Sequence, residues 1–368
     1  MPAAFELVGD GRATAVARLP GKERMNLQIA LLLGQDGITN GAIYALLALA
    51  LVLVFAVTRV IFIPQGEFVA FGALTLASFQ ANKTPGTLWL LIGAGAAVAL
   101  VDLTLALRSP KTRQISRTVI WNLVYPALAA AVVFLGKPSQ LPLLAQVALA
   151  LALVVPLGPM IYRLAYQPLA EASVLVLLIV SVAVHLVLVG LGLLFFGAEG
   201  FRNPSFWDER FSIGALTLSG QAVIIFLATL ALIVMLWLFF ERSLYGKALR
   251  ATAVNRLGAR LMGISTTNAG RLSFTMAAFI GALSGLLIGP TTTIFYDSGF
   301  LIGLKGFVAA VFAGLSSYPL ALVGAFGVGI LEAFGSFWAS AFKEVIVFTS
   351  ILPVLLWRSL RDPHSDEE

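Results

Sequence analysis

The chain has 368 residues, of which 59% are hydrophobic and only 11% charged, and its mean hydropathy is +0.95. A soluble domain carries about 25% charge, so no soluble fold accommodates this composition, whereas helices that face lipid do. With no cysteine, disulfides and thiolate sites are excluded; with two histidines a His-rich metal site is disfavoured, and a net charge of +6 is what basic cytoplasmic loops give a membrane protein.

Residues 1–25 form a polar tail of mixed charge. It lacks the apolar core of about 7–15 residues that a secretory signal peptide needs. Met25, just ahead of the hydrophobic sequence, is an alternative start. Residues 26–360 form one transmembrane domain, and 361–368 a short C-terminal tail. A helix needs about 20 mostly apolar residues to cross a bilayer. Ile38–Val57 meets that length, and the short Phe68–Phe79 follows the turn-like Pro64-Gln65-Gly66-Glu67. Leu88–Leu107, Val119–Leu135, Leu141–Tyr162, Ser173–Phe196 and Ala222–Phe240 come next. Leu272–Ile294, Leu301–Leu315, Pro319–Phe334 and Val345–Trp357 complete the series. The apolar runs are continuous, where the strands of a membrane barrel would alternate. The expectation is an all-α polytopic transmembrane helical bundle of roughly nine to eleven spans.

Lys and Arg set the orientation. Glu241–Arg271 carries Arg242, Lys247, Arg250, Arg256, Arg260 and Arg271 against the single acid Glu241, which places it in the cytoplasm. Counting outward, Arg108–Arg117 and the terminal Arg358 and Arg361 fall on the same side, and Gly197–Arg210 falls outside. The N-terminal tail disagrees. If every span crosses, it lies outside despite Arg12, Arg18, Lys22 and Arg24; either Phe68–Phe79 re-enters instead of crossing, or the tail is not translated.

Within the cytoplasmic segment, Gly246–Ile264 reads as a short amphipathic basic helix. Leu249, Ala253, Leu257 and Leu261 recur every four residues as one stripe, with Gly246 and Gly263 letting the chain turn in and out. Such a helix either lies on anionic lipid or seats in a soluble partner. Charges at membrane depth are the second set of candidates: Glu67, Asp102, His185, Lys305 and Glu332. A bare charge there costs about 2.5–3.5 kcal/mol on insertion scales, so each should face the protein interior, a watery cavity or the interface. Asp102 is read as snorkelling near Arg108, and His185 as a neutral helix-contact residue. Lys305 and Glu332 are either a structural pair between helices or pathway residues. Gly281 with Gly285, Gly299 with Gly303, and Gly324, Gly327 and Gly329 read as close helix packing. Pro290, Pro319 and Pro353 read as breaks or kinks.

Five motifs in order carry a resemblance: NGAIYALLALALVLVFAVTRVI, QGEF, GKALRATAVNRLGARLMGI, GFLIGLKGFVAAVFAGLSSYP and GILEAF with SAFKEVIVF. Together they resemble the inner-membrane permeases of branched-chain amino acid ABC importers, of the leucine/isoleucine/valine type, over Asn26–Phe79 and from about Tyr162 to Arg358. The resemblance implies a bacterial inner-membrane importer of two permeases, here a heterodimer, with two ATP-binding subunits and an external solute-binding protein. It implies no cofactor and no metal. It further implies that a short cytoplasmic helix seats in a groove of the ATPase, and that Ala251, Ala253, Gly258 and Ile264 have that helix's spacing. Together with Leu249, Leu257, Leu261 and Gly263 they are the candidate coupling residues. The family pattern also places a Lys and a Glu at Lys305 and Glu332.

This chain departs from the pattern in three places. Phe62-Ile63-Pro64-Gln65-Gly66-Glu67 keeps only the Gly-Glu of a common Asn-Phe-Ala-His-Gly-Glu run. Asn255 replaces an acid common in the docking helix. The region 80–160 is longer than usual, by about a helical hairpin.

The function expected is a permease subunit with no catalytic activity of its own, moving branched-chain or related amino acids. No Gly-x-x-x-x-Gly-Lys-Ser/Thr loop occurs in the chain, so ATP would be hydrolysed on partners. Urea or short amides are alternative cargoes. An autonomous secondary transporter would need coupling carboxylates and often an inverted repeat; Glu332 and Asp102 could serve, but no repeat is evident. No His-Glu-x-x-His or Gly-x-Ser-x-Gly motif supports an intramembrane enzyme.

Overall fold

The computed structural model describes residues 27–108, 112–213, 216–315 and 317–361. The tail 1–25, Lys111 and residues 362–368 lie outside the described residues. Fifteen α-helices are described: α1 Leu27–Thr58, α2 Gln65–Gln80, α3 Gly86–Arg108, α4 Thr112–Leu135, α5 Leu143–Val154, α6 Leu157–Ile161, α7 Val174–Phe196, α8 Gly220–Arg242, α9 Leu244–Val254, α10 Arg256–Leu261, α11 Thr266–Ile288, α12 Ser298–Phe312, α13 Tyr318–Trp338, α14 Lys343–Thr349 and α15 Ile351–Arg361. One antiparallel hairpin, β1 Arg210–Ile213 with β2 Leu216–Ser219, is the only sheet among the described residues. Helix starts follow the sequence where a short polar side chain precedes an apolar run. Ser173, Ser219, Ser243, Asn255 and Ser265 each accept a backbone N–H of the helix they open.

α1 is the hub. It is apolar on every face and buried on nearly all of them from Gly41 to Val54, as expected of a helix surrounded by protein. α11, α12 and α13 pack around it. Backbones approach closely where glycines meet. A Cβ on Gly329 of α13 would overlap the Gly37 carbonyl of α1, and one on Gly66 of α2 would overlap the Gly299 carbonyl of α12. Gly281, Gly285, Gly303 and Gly324 make similar contacts, but Gly327 faces open space. α7 and α8 are apolar yet mostly exposed, so they are outer, lipid-facing helices.

Among the described residues, seven helices are long and apolar enough to cross a membrane, counting Leu143–Leu169 as one. Two shorter apolar helices accompany them, Ile120–Leu135 within α4 and Ser298–Phe312 (α12), and α14 and α15 pack against α12. The architecture is the expected all-α polytopic bundle, with seven full-length candidate spans among the described residues.

The first six residues after α1 explain why α2 is short. Arg59 takes a left-handed turn at φ 61°, and Phe62 then inserts among Phe68, Tyr166 and Phe274 at ring distances of 5.9, 5.8 and 4.6 Å. α2 therefore starts inside the protein. Its far half reaches the hairpin end of the bundle, where Asn203 Nδ2 donates to the Ala73 carbonyl. α2 with its lead-in thus traverses the bundle instead of re-entering.

The start of α1 is also at the hairpin end, since Gln35 Nε2 donates to the Thr217 carbonyl at 3.1 Å. The end of α1 packs through Leu53 and Val57 on Leu249 and Ala269, at the basic end. Pro319 does not break its span: it is in the first turn of α13, after a turn in which Gly314 and Leu315 both have positive φ.

Candidate functional site

Three clusters of ionisable side chains lie inside the bundle among the described residues. The largest centres on Lys305 of α12 and Glu332 of α13, both buried. Lys305 Nζ stands 2.5 Å from Glu332 Oε1 and 3.2 Å from Glu344 Oε1 of α14. The Tyr44 hydroxyl of α1 donates to Glu332 Oε2, and the Lys305 ammonium lies 5.8 Å from the centre of the Tyr44 ring. Four helices thus converge on one ammonium and two carboxylates.

The cluster lines a cavity of about 670 Å³ that runs to the hairpin end, past Asn40, Gln221 and Thr292. Glu344 Oε2 is buried with no hydrogen-bond partner among the described residues. A charge cluster wired to a polar cavity can exchange partners with a zwitterionic solute without being desolvated alone.

Glu67 does not join this cluster or line its cavity. It is fully buried and its Oε1 lies 2.8 Å from His185 Nδ1 on α7. The His185 ring stacks on Phe300 of α12, with centroids 4.4 Å apart. Asp102 does not snorkel toward Arg108. Its Oδ1 accepts from Arg163 Nε at 2.9 Å and Nη2 at 2.5 Å, within the bundle.

The segment Gly246–Ile264 departs from the predicted single helix. The chain breaks at Asn255, which leaves helical geometry at φ −147° and caps Gly258 N at 2.7 Å. The stripe does not survive the break. Leu249 turns inward onto Leu53, Val57 and Ala269, and Ala253 packs half-buried at the edge of that cluster. Ala251, Leu257 and Leu261 are exposed, Gly258 and Ile264 half-buried, and Gly263 makes the exit turn at φ +83°. Gly246 is in the first turn of α9 instead of before it, where a Cβ would strike Phe239. The exposed apolar surface is a different set: Val254 at 87%, Leu257 at 69%, Leu261 at 79% and Met262 at 83% exposure. Sequence reasoning missed Val254, Met262, Tyr44 and Glu344. The N-cap preference of Asn was the one available signal for the break.

The family described as "Branched-chain amino acid transport system / permease component" matches residues 115–356. The high-affinity branched-chain amino acid transport system permease protein BraD of Pseudomonas aeruginosa is 31% identical over 229 residues, 60% of this chain and 75% of that protein. The corresponding permease protein LivH of Escherichia coli K12 is 26% identical over 331 residues, 87% of this chain and 91% of its own. Among solved structures, PsaBC from Streptococcus pneumoniae in complex with Fab covers 87% of this chain and 90% of its own at 11% identity, with a TM-score of 0.36, too loose a superposition to carry an argument. A multi-pass helical bundle, with a family match over most of its length, is a transport permease, and the chain belongs to the branched-chain amino acid transport system permease family.

Proposed function

We propose that this chain is a pathway-forming subunit of an ATP-driven importer in the bacterial inner membrane, carrying branched-chain amino acids. It works with a second permease subunit, two ATP-binding subunits and an external solute-binding protein. ATP hydrolysis belongs to the partners, and this chain converts their closure into opening of the pathway. The cavity above Lys305 and Glu332 is the part of the path open toward the hairpin end.

The observation that carries the reading is the exposed apolar face of Val254, Leu257, Leu261 and Met262 at the basic end. None of these side chains packs into the bundle's own core, and together they present helix-in-groove anchors to a soluble partner. α9 is braced behind them, since Leu249 fixes it to the ends of α1 and α11. A push on the exposed face therefore reaches α1, which lines the cavity, and α11, which packs against α1.

Leu257→Glu tests this. A single anchor is worth about 2 kcal/mol, so partner affinity should fall roughly thirtyfold. The variant should insert at normal levels, lose the ATP-binding subunits on purification, and lose uptake. Normal co-purification together with normal uptake would overturn the docking role, and would favour a helix pair that lies on lipid.

A further inference from the structure

A second cavity, of about 450 Å³, lies between α3, α4, the α5–α6 rod and α11. Its walls are of two kinds. One side presents the guanidiniums of Arg163 and Arg271, and the other presents Trp121, Tyr125, Pro156 and Pro159.

The sequence explains why the space exists. Pro156 and Pro159 interrupt a 27-residue apolar traverse, and a π turn follows at Tyr162–Tyr166. Both features bend helices, and they part this rod from its neighbours. Pro156 has no N–H, so the Ala152 carbonyl four residues earlier loses its helical donor. The Tyr125 hydroxyl of α4 donates to that carbonyl at 2.7 Å. That bond pins α4 against the bend while leaving the space below it open.

Depth and charge identify the ligand. Arg163 is in the π turn, and Arg271 Nη2 reaches Gln167 Oε1 at 3.4 Å just beyond it. The chain that follows is tied to the basic end by Arg260 with Glu171 at 3.2 Å and by Arg256 with the Ala170 carbonyl at 2.9 Å. The guanidiniums therefore lie toward the basic end of the bundle, which the distribution of Lys and Arg assigns to the cytoplasmic leaflet. Asp102 neutralises one of them through its two hydrogen bonds with Arg163, which leaves one net positive charge among the described lining residues. Trp121, 59% exposed on α4, sits at the mouth, where interfacial tryptophans belong. A basic pocket between membrane helices on the cytoplasmic side, continued by an apolar wall, suits an anionic phospholipid.

We propose that this cavity binds one anionic phospholipid of the cytoplasmic leaflet. Its phosphodiester sits on Arg271 and Arg163, and its acyl chain runs along Trp121 and the outer face of α4. The ligand would brace the α3–α4 hairpin, whose outer face has no protein cover among the described residues.

The test uses the full chain with its co-purifying subunits, in neutral detergent, with bound lipid counted by native mass spectrometry. The probes are phosphatidylglycerol, phosphatidylcholine and inorganic phosphate. Wild type should retain one phosphatidylglycerol in preference to phosphatidylcholine. Arg271→Gln should weaken that retention about fivefold, the value of one basic residue at a membrane surface. Trp121→Ala, which removes no charge and no helix contact of the core, should weaken it independently. Arg250→Gln, elsewhere on the basic end, should leave it unchanged. Equal retention of the two lipids, full retention in both Arg271→Gln and Trp121→Ala, or displacement of the lipid by inorganic phosphate would each overturn the assignment.

Discussion

Lys305 and Glu332 neutralise each other at a depth where a bare charge is costly. Two less conspicuous side chains complete the cluster. Tyr44 lies within a long apolar stretch and reads as one more core aromatic, and Glu344 follows Lys343 at a span boundary and reads as a headgroup charge. What joins them is the convergence of four helices, which no local pattern encodes.

The pairing predicts a non-additive result. Lys305→Met alone leaves Glu332 and Glu344 facing each other without their cation, and breaking a buried pair costs about 3–5 kcal/mol. Adding Glu332→Gln removes the more buried carboxylate, while the half-buried Glu344 can turn to the hydrated cavity. The single variant should therefore show lower protein levels and a lower unfolding temperature than the double. Equal or greater damage in the double would show that the two residues act separately.

At the scale of elements, length and hydropathy located nearly every helix, and capping explains the starts. The reading failed where a helix breaks without glycine or proline. Leu249, Ala253, Leu257 and Leu261 keep a perfect four-residue spacing, but Asn255 spends its side chain on Gly258 N and resets the register. Two variants separate the two halves of the former stripe. Leu249→Ala removes a buried contact between α9 and the ends of α1 and α11, and should cost about 2–5 kcal/mol, seen as a drop in unfolding temperature. Asn255→Ala removes only the cap, about 0.5–2 kcal/mol, and should leave the bundle's unfolding nearly unchanged while loosening α10, seen as faster hydrogen exchange over Arg256–Leu261. Equal thermal destabilisation by both would mean that α9 and α10 still act as one helix.

For the whole molecule, the sequence-derived orientation rests on the charge of Glu241–Arg271, and the structure supplies an independent geometric statement. The hairpin β1–β2 and the start of α1 share one end, through Gln35 and Thr217. Glu241–Arg271 and the end of α1 share the other, through Leu53, Val57, Leu249 and Ala269. One measurement at each end thus fixes the molecule in the membrane. The short α2 kept this parity out of reach of a span count, because its first residues are buried polar ones, Gln65 and Glu67, held in place by tertiary contacts instead of apolar length. The lack of cysteine lets single sites be introduced without a background. Asn255 and Asp208 are both exposed and stand at opposite ends. In intact cells a membrane-impermeant maleimide should label Asp208→Cys and spare Asn255→Cys, and after permeabilisation it should label both. The reverse pattern would place the exposed face of α9–α10 outside the cell, away from any ATP-binding partner, and would remove the docking role along with the orientation.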